Sequence, residues 1–341
     1  MSPTRALALS LLGLAALAMT LESCLSQGVI EVAARRRSIT AEDGYPLVVY
    51  DLAGSRSRQP ERPRAVLFYV QGSSCDTVLQ HAEELAGAVA MDVPVVVVER
   101  RGVQSEGEVD EAECRRFSTK ERRVKDHALV LAEALKDFPA GTPVILVGGS
   151  EGGDVAAAVA RRERRVTHLV LLGTGGGWNQ EEEIRHFIAA RGSYLGLGSG
   201  AELDAVLAKI RQAPDSLETW AGHPFRRWSS YLWEPPVRDL AQLAIPILLV
   251  HGGRDESVPV ESARALRDAF AQAGKTNLTY QEYPAADHGF YDPQRKVSLL
   301  PLLEADLLRW FADQGLLSGA EREALERRVR TSHPESFGGR P

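Results

Sequence analysis

One serine of the chain stands where a hydroxyl group could act as a nucleophile. Ser150 lies at the centre of GGSEGG (148–153), after an apolar run at 144–147 and before a segment with helical periodicity. Small residues at Gly148 and Gly152 leave room for the backbones to cross at such a strand–turn–helix junction, and the turn exposes the hydroxyl group. The alternative is a glycine-rich turn with an incidental serine, whereas a phosphate loop is disfavoured because no Gly-Lys-Ser/Thr follows.

A serine hydroxyl is a poor nucleophile without a base, and the base needs an acid that orients it. The apolar run 246–250 ends in HGGRDESVP (251–259), which places Asp255 in the loop that follows. The next strand candidate, 278–283, ends in PAADHGF (284–290), which places His288 in the following loop. The sequence therefore offers a serine, an acid and a histidine, each just beyond a predicted strand.

Other side chains compete for these roles. His251 lies within a predicted strand end and His223 lies earlier in the chain, so neither occupies the last loop before the final helix. Asp287 is a rival acid, but it is adjacent to His288, and neighbouring side chains usually point apart. These considerations favour His288 with Asp255. No two histidines have the spacing of metal ligands, so the sequence predicts no metal and requires no cofactor.

Together, GGSEGG, HGGRDESVP and AADHGF resemble the motifs of the α/β-hydrolase superfamily, and they occur in the same order. The resemblance covers about residues 38–314. It implies an α/β fold with a mostly parallel central sheet flanked by helices, and an inserted helical lid. It also implies a serine hydrolase in which Ser150 attacks, His288 transfers the proton and Asp255 orients the imidazole. GGSEGG and the DHGF segment resemble exopeptidases of the prolyl-oligopeptidase type as well.

The same resemblance implies an oxyanion hole. The apolar run 65–70 leads into QGSS (71–74), where relatives often have His-Gly followed by a residue whose backbone amide faces the developing charge. In this register Ser73 supplies one N–H and Glu151, next to the nucleophile, supplies the other. Gln71 replaces the usual histidine.

The elements that would position these residues follow an alternating pattern. Continuous apolar runs indicate strands that are buried on both faces, hence a parallel sheet, and amphipathic segments between them indicate helices. The predicted strands are 65–70, 93–98, 143–147, 167–172 and 246–250, and the predicted helices are 78–90, 120–138, 154–164, 260–273 and 299–314. Segments 31–41 and 45–52 predict an antiparallel hairpin at the sheet edge.

The alternation is interrupted between residues 175 and 240, which hold four of the five tryptophans. We interpret 175–240 as an inserted lid, 24–174 and 241–317 as the hydrolase core, and 318–341 as a C-terminal helix with a frayed tail. An aromatic lid favours an apolar acyl or leaving group.

The amino terminus predicts export. Residues 6–19 form an uncharged apolar segment, too short to span a bilayer comfortably, and LESC (21–24) resembles a bacterial lipobox. One interpretation removes 1–23 as a signal peptide and lipidates Cys24, giving a periplasmic or membrane-anchored lipoprotein. The other is an ordinary secretory signal with an incidental Cys24.

Export would bring the remaining cysteines into an oxidising compartment. Cys75 and Cys114 both follow predicted strands in what the sequence indicates are loops, which favours a disulfide between them. Two free thiols, or a nucleophilic Cys75, are the alternatives.

Composition limits the partners. The 40 basic and 46 acidic side chains give a net charge of −6, which argues against nucleic-acid binding, and 44% apolar residues are typical of a globular protein. The sequence therefore predicts a small-molecule ester or peptide substrate, with membrane contact only through a lipid at Cys24. The predicted reaction is cleavage of a carboxylic ester through an acyl-serine. A serine exopeptidase or amidase and a catalytically silent binding lipoprotein are the alternatives.

Overall fold

The computed structural model describes residues 32–54, 63–81, 93–103 and 108–337. The predicted signal segment and Cys24 lie outside these residues, as does most of the predicted helix 78–90, of which 78–81 form a 3-10 turn. Within the described part, no helix has both the length and the apolar character needed to cross a membrane.

In the described part of the chain, twelve strands form one large sheet and two short hairpins. In chain order they are β1 (Val32–Thr40), β2 (Pro46–Gly54), β3 (Val66–Val70), β4 (Val95–Val98), β5 (Val144–Gly149), β6 (His168–Leu172), β7 (Thr219–Trp220), β8 (His223–Pro224), β9 (Ile247–Gly252), β10 (Leu278–Tyr283), β11 (Tyr291–Asp292) and β12 (Val297–Ser298). The large sheet has the order β1-β2-β4-β3-β5-β6-β9-β10. The pairs β1–β2 and β2–β4 are antiparallel, and the remaining pairs are parallel. The predicted mostly parallel sheet with a hairpin at its edge is therefore confirmed.

Helices cover the sheet. They are α1 (Glu111–Phe117), α2 (Lys120–Ala134), α3 (Glu151–Arg162), α4 (Gln180–Arg191), α5 (Gly200–Gln212), α6 (Phe225–Tyr231), α7 (Val237–Leu240), α8 (Val260–Gln272), α9 (Leu300–Asp313), α10 (Gly319–Ser332) and α11 (Pro334–Phe337). Successive residues of a strand point to opposite faces, and both faces are apolar. Phe68 and Val70 pack with buried residues of α2, α3 and α8, whereas Leu67 and Tyr69 pack with those of α9.

The segment 175–240, called the insertion below, contributes no strand to the large sheet. It consists of α4, α5, the β7–β8 hairpin, α6 and α7, and it has an apolar cluster of its own. Leu203, Leu207 and Ile210 of α5 pack there against Phe225 and Trp228 of α6. Its role as a lid stays a prediction.

Two details of the sequence prediction were wrong: the placement of Cys114 in a loop and the frayed segment after Arg330. Cys114 lies within helix α1 and not in a loop, although it is bonded to Cys75 as the sequence analysis favoured, with the two Cα atoms 6.1 Å apart. The segment after Arg330 is not frayed up to Phe337: α10 continues to Ser332, and the buried Ser336 hydroxyl donates to the Ser298 carbonyl.

Candidate active site

Ser150 lies in the turn that joins the central strand β5 to helix α3. Its backbone has φ of +51° and ψ of −128°, a conformation that costs a non-glycine residue free energy and that the surrounding structure must enforce. The Ser150 N–H donates to the Leu172 carbonyl, and the Gly153 N–H donates to the Ser150 carbonyl, so the turn is held from both sides. The strained turn leaves the hydroxyl group outside the helix that follows.

The two glycines flanking this turn are required because backbones cross there. A Cβ atom on Gly148 would lie 2.6 Å from the Gly152 carbonyl oxygen, and one on Gly152 would lie 2.1 Å from the Val70 carbonyl oxygen. Both distances are too short for any side chain. The spacing of small residues around Ser150 thus follows from the approach of α3 to strands β5 and β3.

The structure brings Ser150, His288 and Asp255 together from three different loops. His288 Nδ1 lies 2.7 Å from Asp255 Oδ2, and His288 Nε2 lies 3.1 Å from Ser150 Oγ. An acceptor carboxylate selects the tautomer in which Nδ1–H donates to Asp255 and Nε2 accepts the Ser150 proton. The Asp255 side chain is fully buried, whereas His288 is about one-third exposed. This geometry allows a base to take the serine proton.

The Asp255 carboxylate is fixed by its own loop. Its Oδ1 accepts hydrogen bonds from the backbone N–H groups of Ser257 and Val258, both at 2.8 Å. The remaining oxygen is therefore directed at the histidine. His251, buried beside it, has Nε2 at 3.1 Å from the Val258 carbonyl oxygen and 3.5 Å from Asp255 Oδ2. Burial lowers the pKa of His251, which keeps this ring neutral.

The rival side chains occupy other positions. Asp287 Oδ1 accepts backbone hydrogen bonds from Gly289 at 3.0 Å and Tyr291 at 2.9 Å, so it closes the turn that carries His288. His223 lines the active-site cavity and packs edge-on against Trp228. Burial and the charge of Arg227 lower the pKa of His223 to about 4.

The loop after β3 carries Ser73 beside the nucleophile. A Cβ atom on the preceding Gly72 would lie 3.3 Å from Ser150 Cβ, which shows how closely this loop approaches. Arg100 Nη1 donates to the carbonyl oxygens of Gly72 and Ser74, both at 3.1 Å, and so holds the backbone on either side of Ser73. Burial lowers the pKa of Arg100 to about 10, which leaves the guanidinium charged at neutral pH.

Gln71, at the position where relatives often have histidine, turns its side chain into this loop. Its Nε2 donates to the carbonyl oxygens of Asp76 at 3.2 Å and Ser74 at 3.4 Å. The amide therefore helps to shape the loop around Ser73.

Glu151, the residue after the nucleophile, lies in a buried arginine cluster that the sequence analysis did not predict. Its carboxylate accepts from Arg123 Nη1 at 2.8 Å and from Arg227 Nε at 2.8 Å, and Arg123 also donates to the Gln71 carbonyl oxygen. Burial alone would raise the pKa of Glu151, but the charges of Arg227, Arg123 and Arg100 outweigh it and lower the pKa to about 2. Both predicted oxyanion donors thus belong to backbone that arginines hold in place.

A cavity of about 190 Å³ opens above Ser150. The core contributes Ser73, Ser150, Glu151, Asp154 and Thr174, and the loop after β9 contributes Ser257 and Val258. The insertion supplies the rest of the wall, including aromatic residues that no local sequence motif linked to the site. These aromatic residues are Trp178, Tyr194 and Trp228.

Comparisons with known proteins agree with this fold. Residues 207–314, which include Asp255 and His288, match the model of the prolyl oligopeptidase family. A stretch of 55 residues, 16% of the chain, is 36% identical to esterase LipC of Mycobacterium tuberculosis. The chain spans only 14% to 36% of the length of the curated relatives it matches.

Solved structures resemble the chain over most of its length. Est1E from Butyrivibrio proteoclasticus has a TM-score of 0.58 and 19% identity, over 82% of this chain and 98% of the other. A puromycin-hydrolyzing peptidase of Mycobacterium tuberculosis has a TM-score of 0.55 and 18% identity, over 82% of this chain and 40% of the other. The eight-stranded sheet, the strand–turn–helix at Ser150 and the likeness to these solved structures together show that the chain has the α/β-hydrolase fold.

Proposed function

We propose that the chain is a serine hydrolase that cleaves a carboxylic ester through an acyl-serine intermediate. The observation that carries the proposal is the chain of contacts from Ser150 Oγ through the His288 imidazole to the buried Asp255 carboxylate. Relatives and neighbours named as esterases and as a peptidase support hydrolysis of an ester or a peptide bond.

In the proposed acylation step, Ser150 Oγ attacks the carbonyl carbon while His288 Nε2 takes the hydroxyl proton. Asp255 stabilises the imidazolium that forms, and His288 then gives the proton to the leaving alcohol as the tetrahedral intermediate collapses. The backbone amides of Ser73 and Glu151 are the proposed donors to the oxyanion. No described residue accepts a hydrogen bond from either amide in the structure, so both are free to donate to a substrate.

Deacylation follows the same path in reverse, because His288 now removes a proton from water. The water oxygen attacks the acyl carbon, the bond to Ser150 Oγ breaks, and the proton returns to the serine. This cycle regenerates the Ser150 hydroxyl group and releases the acyl group as a carboxylic acid.

A peptidase is the second candidate, because residues 207–314 match the prolyl oligopeptidase family. An ester is favoured by the aromatic wall of the cavity, where Trp178, Tyr194 and Trp228 suit an apolar part of the substrate. The third candidate function is ligand binding without catalysis by a protein of the hydrolase fold.

Covalent labelling separates an enzyme from a binding protein. A fluorophosphonate probe is expected to label the wild-type protein but not Ser150→Ala, whose kcat should fall by about a millionfold. Folded protein that does not react with the probe would support the binding protein. Comparing p-nitrophenyl acyl esters with aminoacyl p-nitroanilides then distinguishes the two enzymes, and faster cleavage of the anilides would replace the esterase proposal with the peptidase.

A further inference from the structure

The active-site cavity contains two carboxyl groups that the proposed reaction does not use. Asp154 follows Ser150 by one turn of α3, is only 6% exposed, and lines the cavity floor. Glu183, on α4 of the insertion, lines the cavity from the opposite element. The core and the insertion therefore each direct one acidic side chain into the same space.

The Asp154 side chain forms no hydrogen bond or ion pair with another described residue, and it borders the cavity. A buried carboxyl group without a partner is unfavourable, because water no longer solvates it. The charges of Lys120, Arg227 and Arg123 offset this cost only in part, since Arg123 and Arg227 direct their guanidinium groups to Glu151. Asp154 is thus a buried acceptor that faces the cavity without a hydrogen-bonded cation, because Lys120, Arg227 and Arg123 attract it only at longer range.

Glu183 faces the same volume. Burial raises the pKa of Glu183 well above its usual range. A hydrogen bond with the Ser262 side chain lowers the pKa, but the negative charges of Asp154 and Asp255 raise it further. Asp154 and Glu183 both line this cavity, and the negative charge of Asp154 is one cause of the raised pKa of Glu183. A cation placed between them would relieve this repulsion and restore favourable electrostatics to both groups.

The surrounding walls suit an organic cation better than a metal ion. Trp178 and Tyr194 line the same cavity, and aromatic faces attract ammonium groups, most strongly when these are shielded from water. The Trp228 ring in this cavity already carries the Arg227 guanidinium, whose central carbon lies 4.3 Å from the ring centre. A protonated amine also offers three N–H donors for carboxylate oxygens.

We propose that the cavity binds a protonated primary amine of the substrate, close to the scissile carbonyl group, between Asp154 and Glu183. This inference rests on the proposed hydrolase function and names its substrate class as amine-bearing acyl groups. An α-aminoacyl ester and the first residue of a peptide offer the same ammonium group, so the two sources must be distinguished by experiment.

Paired substrates test the proposal. L-Alanine benzyl ester and L-alanine p-nitroanilide are each compared with their N-acetyl derivatives, which lack the charge. The wild-type protein should prefer the free amine in kcat/KM, and Asp154→Asn and Glu183→Gln should each reduce this preference by about ten- to a hundredfold. Asp215→Asn, at an exposed position of the insertion, should keep the wild-type preference. The amine site would be overturned if Asp154→Asn and Glu183→Gln kept the same ratio of kcat/KM for free amine over N-acetyl compound as the wild type. It would also be overturned if the wild type preferred the N-acetyl compounds. Whether the benzyl ester or the p-nitroanilide reacts faster identifies the source of the amine as an ester or a peptide.

A binding measurement tests the amine site independently of catalysis, so that its failure can be distinguished from failure of the hydrolase proposal. In the Ser150→Ala background, calorimetry should show L-alaninamide binding at least tenfold more tightly than N-acetyl-L-alaninamide, and Asp154→Asn should abolish the difference. If the fluorophosphonate fails to label Ser150 but this preference is present, the hydrolase proposal is wrong and the amine site is supported. Equal affinities for the two amides would overturn the amine site irrespective of catalysis.

Discussion

Two aspartates lie beside His288, the proposed catalytic base: Asp255 is its neighbour in space and Asp287 its neighbour in sequence. Asp255 reaches His288 Nδ1 with one oxygen and accepts two backbone N–H groups with the other. Asp287 is the sequence neighbour of His288, yet its carboxylate accepts from the amides of Gly289 and Tyr291. The first arrangement orients a base, and the second closes a turn.

The two aspartates are expected to respond differently to the same substitution. Asp255→Asn should lower kcat by about 10⁴-fold, because an amide stabilises the wrong tautomer of the imidazole and does not stabilise the imidazolium. Asp287→Asn is the matched control and should retain kcat within about tenfold, since an amide oxygen still accepts the two backbone hydrogen bonds. Steady-state kinetics on a p-nitrophenyl ester measures both, and a larger loss in Asp287→Asn would reverse the assignment.

Asp154 gives a prediction about stability and pH. Burial raises its pKa from 3.8 to about 6, so the folded state holds a proton that the unfolded state releases. Its stabilising contribution is present below pH 4 and is lost as the pH rises through 6. The charged groups around it are Lys120, Glu151, Arg227, Arg123 and Glu183.

Asp154→Asn should therefore raise the free energy of unfolding at pH 8, on the order of 1–3 kcal/mol, and leave it nearly unchanged at pH 4. Urea unfolding at the two pH values measures the difference, with Asp215→Asn as the exposed control. A variant less stable than the wild type at pH 8 would show that the carboxylate is already compensated inside the protein.

At the scale of elements, the arginine cluster joins parts of the chain that are distant in sequence. Arg100 follows β4, Arg123 lies on α2 and Arg227 on α6 of the insertion, and all three act on the backbone or side chain next to the predicted oxyanion donors. Glu151 is the anion common to Arg123 and Arg227. The backbone around Ser73 and Glu151, the proposed oxyanion donors, is thus positioned by contacts between elements.

Replacing this anion should affect both stability and catalysis. Glu151→Gln leaves two buried guanidinium groups without their carboxylate and should lower the free energy of unfolding by about 3–5 kcal/mol. We also expect a reduced kcat, because the loop and helix backbones lose their common anchor. Glu234→Gln removes an exposed partner of Arg238 and should leave both quantities nearly unchanged. Thermal unfolding measures the stability of Glu151→Gln and Glu234→Gln, and steady-state kinetics at one temperature measures their kcat. Equal effects of the two substitutions would contradict the role of Glu151 as the common anchor.

The disulfide acts at the same scale, because it ties the loop after β3 to helix α1. Cys75 lies two residues beyond Ser73. The bridge closes a separation of 39 residues, so the double variant Cys75→Ser/Cys114→Ser should lose about 4 kcal/mol of stability and also some kcat. Urea unfolding with and without reductant measures the loss. A reductant that lowers the stability of the double variant as much as that of the wild type would show that the bridge is not the cause.

The sequence predicted these elements well where a local pattern determines them. Buried runs located the central strands within about two residues, and the strand-end motifs singled out Ser150, Asp255 and His288. Helix α3 begins at Glu151, three residues before the predicted start at Asp154, because two glycines obscure the helical pattern there. The partners Arg123 and Arg227 could not be predicted, since their contacts depend on tertiary packing. The one local signal for these two arginines was Glu151, a charged residue directly after the turn at Ser150.

At the scale of the whole molecule, export is a prediction from the amino terminus, and a disulfide fits an oxidising compartment. We expect that an alkyne analogue of palmitate labels the full chain expressed in a bacterium and that Cys24→Ser abolishes the label. Protein exported without the label would favour an ordinary secretory signal. Protein retained inside the cell would contradict both interpretations.

The ion pair between Arg227 and Glu151 has a consequence for protein engineering. Because the insertion lines the cavity above Ser150, replacing it with a segment from another protein of this fold is one way to change what the cavity accepts. In this chain, however, such a chimera would remove Arg227 and leave the residue beside the nucleophile with only part of its counter-charge. A transplanted insertion would therefore have to bring an arginine at this position or be paired with a neutral residue at position 151, so that under the proposed function a change of specificity would also affect turnover.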